Sequence, residues 1–392
     1  MATSLESEAA TSLLHQPKAV WAVAFACVVS FMGLGLVDPI LPVLSQQLDA
    51  TPSQVEMLFT SYFLVTGIAM IVTGYVSSRL GMKRTLLVGL ALILAFSALA
   101  GSASGITGIA LYRGGWGLGN ALFIATALAA IVHLSGHGTE RAVILYESSL
   151  GLGISVGPLL GGALGGITWR GPFYGVAALM LVGFIALVIL LPRLPRVERS
   201  SSLAAPIQAL KHRGLLTLGL TALCYNFGFF TLLAYAPFPM HIGVHALGFV
   251  YFGWGLLLAV CAVFVAPRLQ ARFGTLPVMY AMLVLLALDL LAMAIGIADP
   301  LVLIVAVIVG GAFLGVNNTL ITTAVMQSAP VERSTASAAY SFVRFTGGAI
   351  APVLAGVLGS AFTPAVPFYV GSGAVFVSIL VLFSGRASLA GI

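Results

Sequence analysis

The sequence predicts an all-α integral membrane protein with twelve transmembrane helices in two pseudo-symmetric six-helix bundles. Three observations support this fold class: an apolar composition, long uncharged segments that recur along the chain, and sequence matches between its two halves. Of the 392 residues, 60% are hydrophobic and 7% are charged, whereas soluble domains carry about 25% charged residues. Water is therefore not the main solvent of this chain.

The apolar segments are long enough to cross a bilayer as helices. A hydrocarbon core of roughly 30 Å requires about 20 apolar residues per helix, and a membrane β-barrel would instead show short segments of alternating polarity. The runs in this chain are continuous. Hydropathy predicts spans at Val20–Leu44, Glu56–Val76, Thr85–Gly101, Ile106–Val132, Ala142–Gly165, Pro172–Leu191, Leu215–Phe238, Leu247–Pro267, Leu276–Ile297, Leu301–Met326, Ser337–Gly359 and Pro367–Phe383.

A polar, basic segment interrupts the apolar pattern after the sixth span. We place the domain boundary there, which gives a tail at 1–17, a first bundle at 18–191, a linker at 192–214 and a second bundle at 215–392. Lys and Arg concentrate in this linker and in alternate loops, and such a bias marks the cytoplasmic side. Both termini are therefore expected in the cytoplasm, with the chain in the cell (plasma or inner) membrane. The net charge of +6 orients the chain and does not indicate a nucleic-acid partner.

The two halves match each other at nearly constant separation. The matching pairs are Ser61-Tyr62-Phe63 with Val250-Tyr251-Phe252, Arg79-Leu80-Gly81 with Arg272-Phe273-Gly274, Glu140-Arg141 with Glu332-Arg333, and Pro172-Phe173-Tyr174 with Pro367-Phe368-Tyr369. A duplicated membrane unit of this kind predicts a substrate site near the bilayer midplane, between the two halves.

Two segments of the first half combine spaced glycines with charges or a proline: GYVSSRLGMKR at 74–84, after the second span, and GISVGPLLGG at 153–162, in the fifth span. Both are similar to signatures of the major facilitator superfamily. The loop after the second span resembles its G-x-x-x-D-R-x-G-R-R pattern, with Ser78 at the Asp position, and the fifth span resembles the G-x-x-x-G-P-x-x-G-G pattern of its drug/proton antiporters. Small residues let helix backbones approach closely, and a proline removes one helical hydrogen bond. The residues that match these patterns, and that we expect to act in conformational change, are Gly74, Arg79, Gly81, Lys83, Arg84, Gly153, Gly157, Pro158, Gly161 and Gly162.

Two further segments resemble the same family. The fourth span begins with a segment similar to R-x-x-Q-G, with Trp116 at the Gln position, and the first span carries a Pro-rich element around Asp38. In that family the arginine of R-x-x-Q-G is tied to proton coupling, which implies this role for Arg113. The resemblance implies a major facilitator fold and secondary active transport by alternating access. It favours a proton-coupled antiporter that exports small amphipathic compounds, drugs or metabolites.

Charged side chains inside the spans are candidates for proton coupling, because each costs about 3 kcal/mol at a helix centre. Asp38 and Arg113 lie at matching depths, about 12 Å from the same surface at 1.5 Å per residue. We expect a pair that separates when Asp38 takes up a proton, and the alternative is a static pair that only stabilises the first half. Glu147, next to the antiporter pattern, is a second proton-carrier candidate. Asp289 lies in the ninth span, which is peripheral in this family, and a structural role is expected for it.

The substrate site is expected among polar and aromatic side chains of spans that line the cavity in this family. A few polar groups in an aromatic environment are typical of small-molecule pockets. Arg344 would either bind an anionic head group or neutralise a carboxylate. The candidate substrate-binding residues are Asn120, Tyr225, Asn226, Phe230, Tyr235, Asn317, Asn318 and Arg344.

Other classes of function are less well supported. The sequence has neither a GxxxxGK[ST] loop nor a His/Cys/carboxylate cluster at metal-ligand spacing, so neither an enzyme nor an ATP-driven pump is indicated, and no cofactor or metal is expected. The alternatives left open are a flippase for a lipid-linked sugar, a proton-coupled symporter of a small nutrient and, more distantly, a membrane receptor that does not transport. The expected partners are protons, a small amphipathic substrate and membrane lipid, and we expect a monomer.

The predicted orientation is testable at the linker. A single cysteine at Ser201, in a variant that lacks the three native cysteines, should not react with a membrane-impermeant maleimide in intact cells, because basic linkers stay in the cytoplasm. The same cysteine should react in inside-out vesicles. Labelling in intact cells would contradict this topology.

Overall fold

The structure, a computed structural model, describes residues 16–135, 139–192, 194, 203–328, 331 and 333–389. Within these residues the chain is helical and contains no strand. In the described part of the chain, twelve helices are long and apolar enough to cross a membrane, which confirms the predicted fold class and number of spans. In order, the spans comprise Lys18–Gly35 with Leu41–Gln47, Pro52–Leu80, Met82–Ser102, Ile106–Leu134, Thr139–Ile167, Gly171–Leu190, Arg213–Tyr235, Val244–Val260 with Ala266–Phe273, Thr275–Ile295, Pro300–Gln327, Arg333–Ala361 and Val366–Ser384.

The first span is broken, although hydropathy predicted one continuous helix. Its first part ends at Gly35, a 3₁₀ turn covers Asp38–Ile40, and a short helix follows. Pro39 and Pro42 lack the N–H groups that would bond to the carbonyl groups four residues earlier, so the α-helical pattern cannot continue through this point. The break places Asp38 where the helix changes direction.

The second span begins earlier than hydropathy predicted. Thr51 and Gln54 form a capping box: the Thr51 hydroxyl accepts the Gln54 backbone N–H at 3.4 Å, and the Gln54 side chain accepts the Thr51 N–H at 2.9 Å. This motif fixes the start of a helix. Glu56, which hydropathy placed at the start of the span, therefore lies inside the helix.

The predicted duplication is visible in the turns. Gly81 and Gly274 follow the second and eighth spans and have φ of 83° and 84°. Asp49 and His241 follow the first and seventh spans and have φ of 48° and 50°. Equivalent positions of the two halves thus share backbone conformations that most residues avoid.

The two halves pack against each other through two pairs of spans, the second with the eleventh and the fifth with the eighth. We call the end of the bundle that contains Gln16 and Leu389 the terminal end, and the end that contains the turns at Asp49 and His241 the opposite end. The interhalf contact includes a hydrogen bond of 2.5 Å from the Thr60 hydroxyl to the Ala349 carbonyl oxygen.

The predicted domain boundaries remain predictions. The described residues of the linker include a short helix, Ala205–Ala209, but much of 192–202 lies outside the described part of the chain. Of the predicted tail, only residues 16 and 17 are described.

The paired glycine turns lead to a stability prediction. Gly81→Ala and Gly274→Ala should each destabilise the protein by about 1–3 kcal/mol, because this region of φ and ψ is adopted almost only by glycine. Gly243 is a matched control, since its φ is −68° and an added Cβ would meet nothing within 4 Å. Thermal unfolding in detergent should show lower midpoints for the first two variants and no change for Gly243→Ala. Equal midpoints for all three would contradict the prediction.

Candidate functional site

Arg113 lies fully buried in the fourth span. Its guanidinium group is 4.5 Å from the ring centre of Tyr62 and 4.6 Å from that of Trp116, and its Nη1 donates to the Gly33 carbonyl oxygen at 3.2 Å. Nε and Nη2 have no hydrogen-bond partner. Cation–π contacts therefore replace part of the lost hydration, and two donor groups remain free to bind an acceptor.

Asp38 is also fully buried, and neither of its carboxylate oxygens accepts a hydrogen bond. The carboxyl group interacts electrostatically with Arg113 of the first half and with Tyr251 of the second half. The Tyr251 hydroxyl donates to the Leu233 carbonyl oxygen at 2.9 Å. The structure thus brings the predicted pair into one electrostatic site between the halves, without a hydrogen bond between them.

Asn120 of the fourth span is hydrogen-bonded to the first and second spans beside this site. Its side-chain oxygen accepts a hydrogen bond from Ser30, and its amide group donates to the Tyr62 hydroxyl. Only 2% of Asn120 is exposed. This predicted substrate residue is therefore engaged with the first and second spans, next to the ring that covers Arg113.

A second polar group surrounds Arg344 in the eleventh span. Tyr225 donates to the Asn318 side-chain oxygen at 2.6 Å, and its hydroxyl lies 3.4 Å from that of Tyr340. Arg344 lies 4.9 Å from the Phe345 ring centre and interacts electrostatically with Tyr225, Tyr340 and, from the first half, Tyr146. This cluster therefore also spans the interface of the two halves.

The other predicted substrate residues are less accessible. Arg344 and Asn318 are partly exposed, whereas the remaining six candidates are at most 5% exposed. Asn226 donates to the Ala222 carbonyl oxygen at 2.8 Å, and neither amide atom of Asn317 has a hydrogen-bond partner. Phe230 packs 4.3 Å from Phe63, and Tyr235 packs 5.6 Å from Phe368.

The glycines of the fifth span contact the backbone of the first span. An added Cβ would lie 2.5 Å from the Val28 carbonyl oxygen at Gly153 and 2.6 Å from the Met32 carbonyl oxygen at Gly157, and at Gly161 it would overlap the Leu36 carbonyl group. On the other face of the helix, a Cβ on Gly162 would lie 3.2 Å from Gly248 Cα in the eighth span. The motif thus packs the fifth span closely against both halves.

Comparison with known proteins identifies the family. The family model of the Major Facilitator Superfamily matches residues 23–352 and again 239–390. The chain belongs to the Major Facilitator Superfamily. It is 55% identical over 382 residues to the multidrug efflux protein YfmO of Bacillus subtilis (strain 168), with 97% of this chain and 96% of that protein covered.

A solved structure supports the same fold. The human organic anion transporter MFSD10 aligns with a TM-score of 0.73 at 16% identity, covering 93% of this chain and 99% of that one. As a member of the Major Facilitator Superfamily, the chain is a multi-pass membrane protein of a transporter family and not an enzyme.

The superfamily loop motif connects the second, third and sixth spans. Gly81 forms the turn, and the Lys83 ammonium group donates to the Leu191 carbonyl oxygen after the sixth span. Arg79 lies 5.3 Å from the Tyr75 ring centre, and Ser78 donates to the Tyr75 carbonyl oxygen at 2.8 Å. Gly74 and Arg84 are exposed.

The second half contains a counterpart of the antiporter pattern that the sequence analysis missed. Gly347 and Gly356 flank Pro352 inside the eleventh span, as Gly153 and Gly162 flank Pro158 in the fifth. Gly347 contacts the Leu223 carbonyl group of the seventh span. The pattern escaped detection because alanine replaces glycine at 351 and 355.

The acidic residues Glu56, Glu147 and Asp289 also lie in the spans. Glu56, which was not predicted, is fully buried, and no described side chain forms a hydrogen bond with either oxygen; the capping box was the sequence signal for its position. Glu147 lies in the helix Thr139–Ile167, but its side chain is outside the described part of the structure, and its role remains a prediction. Asp289 faces Gly310 of the tenth span, where an added Cβ would lie 3.0 Å from its Oδ2.

The glycine contact of the fifth span gives a second prediction. Gly157→Leu should force the first and fifth spans apart and destabilise the fold by about 1–3 kcal/mol or more, and transport should be lost while insertion is retained. Gly373→Leu is the control, because an added Cβ there meets nothing within 4 Å. Immunoblots of membranes and melting in detergent would measure insertion and stability. A Gly157→Leu protein as stable and active as the control would contradict the role of this contact.

Proposed function

We propose that the protein is a proton-coupled antiporter that exports small amphipathic compounds, drugs or metabolites, by alternating access. The observation that carries this proposal is the Asp38 carboxyl group, fully buried without a hydrogen bond between charged and polar groups of both halves. The 55% identity to a multidrug efflux protein supports drugs as the exported class.

The chemistry of Asp38 and Arg113 suits proton exchange. An ionised carboxylate without hydrogen bonds is costly in an apolar interior, whereas the neutral acid is tolerated. The described arrangement, with Arg113 stacked on two aromatic rings, therefore corresponds to protonated Asp38. Loss of the proton would favour a direct bond to the free Nε and Nη2 donors of Arg113. Proton uptake and release thus select between two arrangements of the same pair.

The position of Asp38 couples this exchange to movement of the halves. Asp38 lies at the break in the first span, and its 3₁₀ turn contacts both the fifth and the eighth spans. Those two spans form one of the two contacts between the halves. A change in the charge of Asp38 therefore acts where the halves would move in alternating access.

The Arg344 cluster is the proposed substrate site. Arg344 and Asn318 are its partly exposed polar groups, and aromatic side chains surround them. The groups that interact with Arg344 among the described side chains are tyrosines, so an anionic or strongly polar substrate group is a better partner than an internal carboxylate. The proposed substrate thus has an aromatic or aliphatic body and a polar or anionic end.

The proposed orientation follows from the basic loops, which place the terminal end in the cytoplasm. The opposite end then faces outside. Location in the cell membrane and a monomeric state belong to the same proposal.

The test is substrate transport by purified protein in proteoliposomes with an imposed pH gradient. Wild-type protein should accumulate a drug-like amphiphile against its gradient when protons flow the other way. Asp38→Asn should retain downhill exchange and lose gradient-driven accumulation, because the amide cannot exchange a proton. Asp49→Asn, the same change at an exposed acidic residue, should behave as wild type.

Three results would contradict this proposal. Wild-type accumulation by Asp38→Asn would exclude Asp38 as the carrier and make Glu147 the leading candidate. A static Asp38–Arg113 pair predicts instead that Asp38→Asn and Arg113→Ala both lose folded protein, since stranding a buried charge costs about 3–5 kcal/mol. A flippase would move labelled lipid in the same vesicles without accumulating the amphiphile.

A further inference from the structure

We propose that Glu56 is a second proton-binding site, and that its protonation keeps the two halves closed at the opposite end of the bundle. Glu56 is fully buried, and among the described residues no side chain forms a hydrogen bond with either carboxylate oxygen, although the Gly356 backbone interacts with the carboxyl group. It lies in the second span, which packs on the eleventh span of the other half. Glu56 is a site separate from Asp38, and its proposed role does not depend on the identity of the substrate.

The Glu56 carboxyl group occupies space that exists because residue 356 is glycine. A Cβ added to Gly356 would overlap the Glu56 Oε2 atom and would lie 2.6 Å from Ser53 Cα. About one helical turn further, the Thr60 hydroxyl donates to the Ala349 carbonyl oxygen at 2.5 Å. Glu56 is therefore enclosed within the contact between the two halves.

No cation compensates the carboxylate among the described side chains that act on Glu56. The titratable group that interacts with it is the Tyr235 hydroxyl of the seventh span, which also contacts Gly359. On the eleventh span, Gly356 lies against the Glu56 carboxyl group. The Gly356 carbonyl oxygen accepts a hydrogen bond from the Ser360 hydroxyl at 2.7 Å. The short helix Leu41–Gln47, which also packs on the second span, contains no titratable residue.

The charged residues of the other helices that pack on the second span interact elsewhere. Arg113 of the fourth span is stacked on Tyr62, and Arg344 of the eleventh span lies over Phe345. Lys83 of the third span donates a hydrogen bond to the Leu191 carbonyl oxygen at the terminal end. The remaining charged or titratable side chains on these helices are Arg84, Tyr112, His133, Arg213, Cys224, Tyr225, Arg333 and Tyr340.

Closure at this point therefore depends on the charge of Glu56. A neutral carboxylic acid fits an apolar contact, whereas an ionised one without a partner strongly favours water. Water reaches the carboxylate only if the second and eleventh spans separate. Because one proton is linked to this equilibrium, the ratio of closed to open molecules should change by up to about tenfold per pH unit.

The experiment measures a distance across the opposite end by double electron–electron resonance. Spin labels are attached at Gln47→Cys and Thr363→Cys, both exposed positions at this end, in protein that lacks Cys27, Cys224 and Cys261. Wild-type protein should show a short distance in acid and a growing longer component as pH rises. Glu56→Gln, which is neutral and of similar shape, should keep the short distance at every pH.

Three further variants make the result specific. Asp49→Asn should retain the wild-type titration, because Asp49 is exposed at the same end and asparagine tolerates its positive φ. Asp38→Asn should still show a change in distance with pH, because Glu56 keeps its proton-binding site in that variant. Gly356→Ala, which fills the space of the carboxyl group, should favour the longer distance even in acid.

The proposal is overturned if the wild-type distance does not change with pH, if Glu56→Gln titrates as wild type does, or if Asp38→Asn alone abolishes the titration. If Glu56→Gln folds poorly, Gly356→Ala serves as the test. An unchanged short distance in that variant at acidic pH would also overturn the proposal. Failure of the proposed antiport would appear as absent drug accumulation, while this distance would still titrate. The two proposals can therefore fail separately.

Discussion

The contact between the glycines of the fifth span and the backbone of the first span is the constraint on which the rest of this structure depends. Apolar side chains gain little by exchanging lipid contacts for protein contacts, so helices in a membrane associate through close packing of small residues. Gly153 and Gly157 allow this approach at successive turns, and the Pro158 ring would lie 3.1 Å from a Cβ on Gly35. Gly35 is the last helical residue before the break in the first span. The same contact that joins the helices therefore determines where Asp38 is placed.

Asp38 and Glu56 share an arrangement that is unfavourable for an ionised carboxylate, since both are fully buried and no described side chain forms a hydrogen bond with either. Arg113 also lacks a bonded carboxylate and is stabilised by two aromatic rings. A static structural pair would bring the opposite charges into direct contact, because an unpaired buried charge costs several kcal/mol. The separation of Asp38 from Arg113 is consistent instead with a protonated acid. Both acids lie where the halves meet, so protonation and closure of the interface favour each other if the two acids act as proposed.

The sequence predicted the number of spans and the family because these depend on apolar length and on a few spaced glycines. The sequence could not reveal which face of each helix is buried, because a helix that is apolar on all sides does not indicate which face packs inward. Asn120 and Asn318 were equally plausible substrate residues, yet the structure engages Asn120 in hydrogen bonds with Ser30 and Tyr62 and leaves Asn318 partly exposed. Glu56 was missed because hydropathy treats a carboxylate at the edge of an apolar run as a surface group. Only packing against Gly356 shows that it is enclosed.

The duplication also explains why the two interhalf contacts would behave differently. In one, Gly162 of the fifth span meets the backbone of the eighth span at Gly248, and His245 of the eighth span lies against Gly166 one turn away. In the other, Gly356 is the counterpart of Gly162, but the side chain that it meets is Glu56. A contact made of glycine backbones has the same energy at any pH, whereas one that encloses a carboxylic acid weakens when the proton leaves. If Glu56 and Asp38 act as proposed, loss of the proton from Glu56 weakens the contact between the second and eleventh spans, and loss of the proton from Asp38 acts at the contact between the fifth and eighth spans.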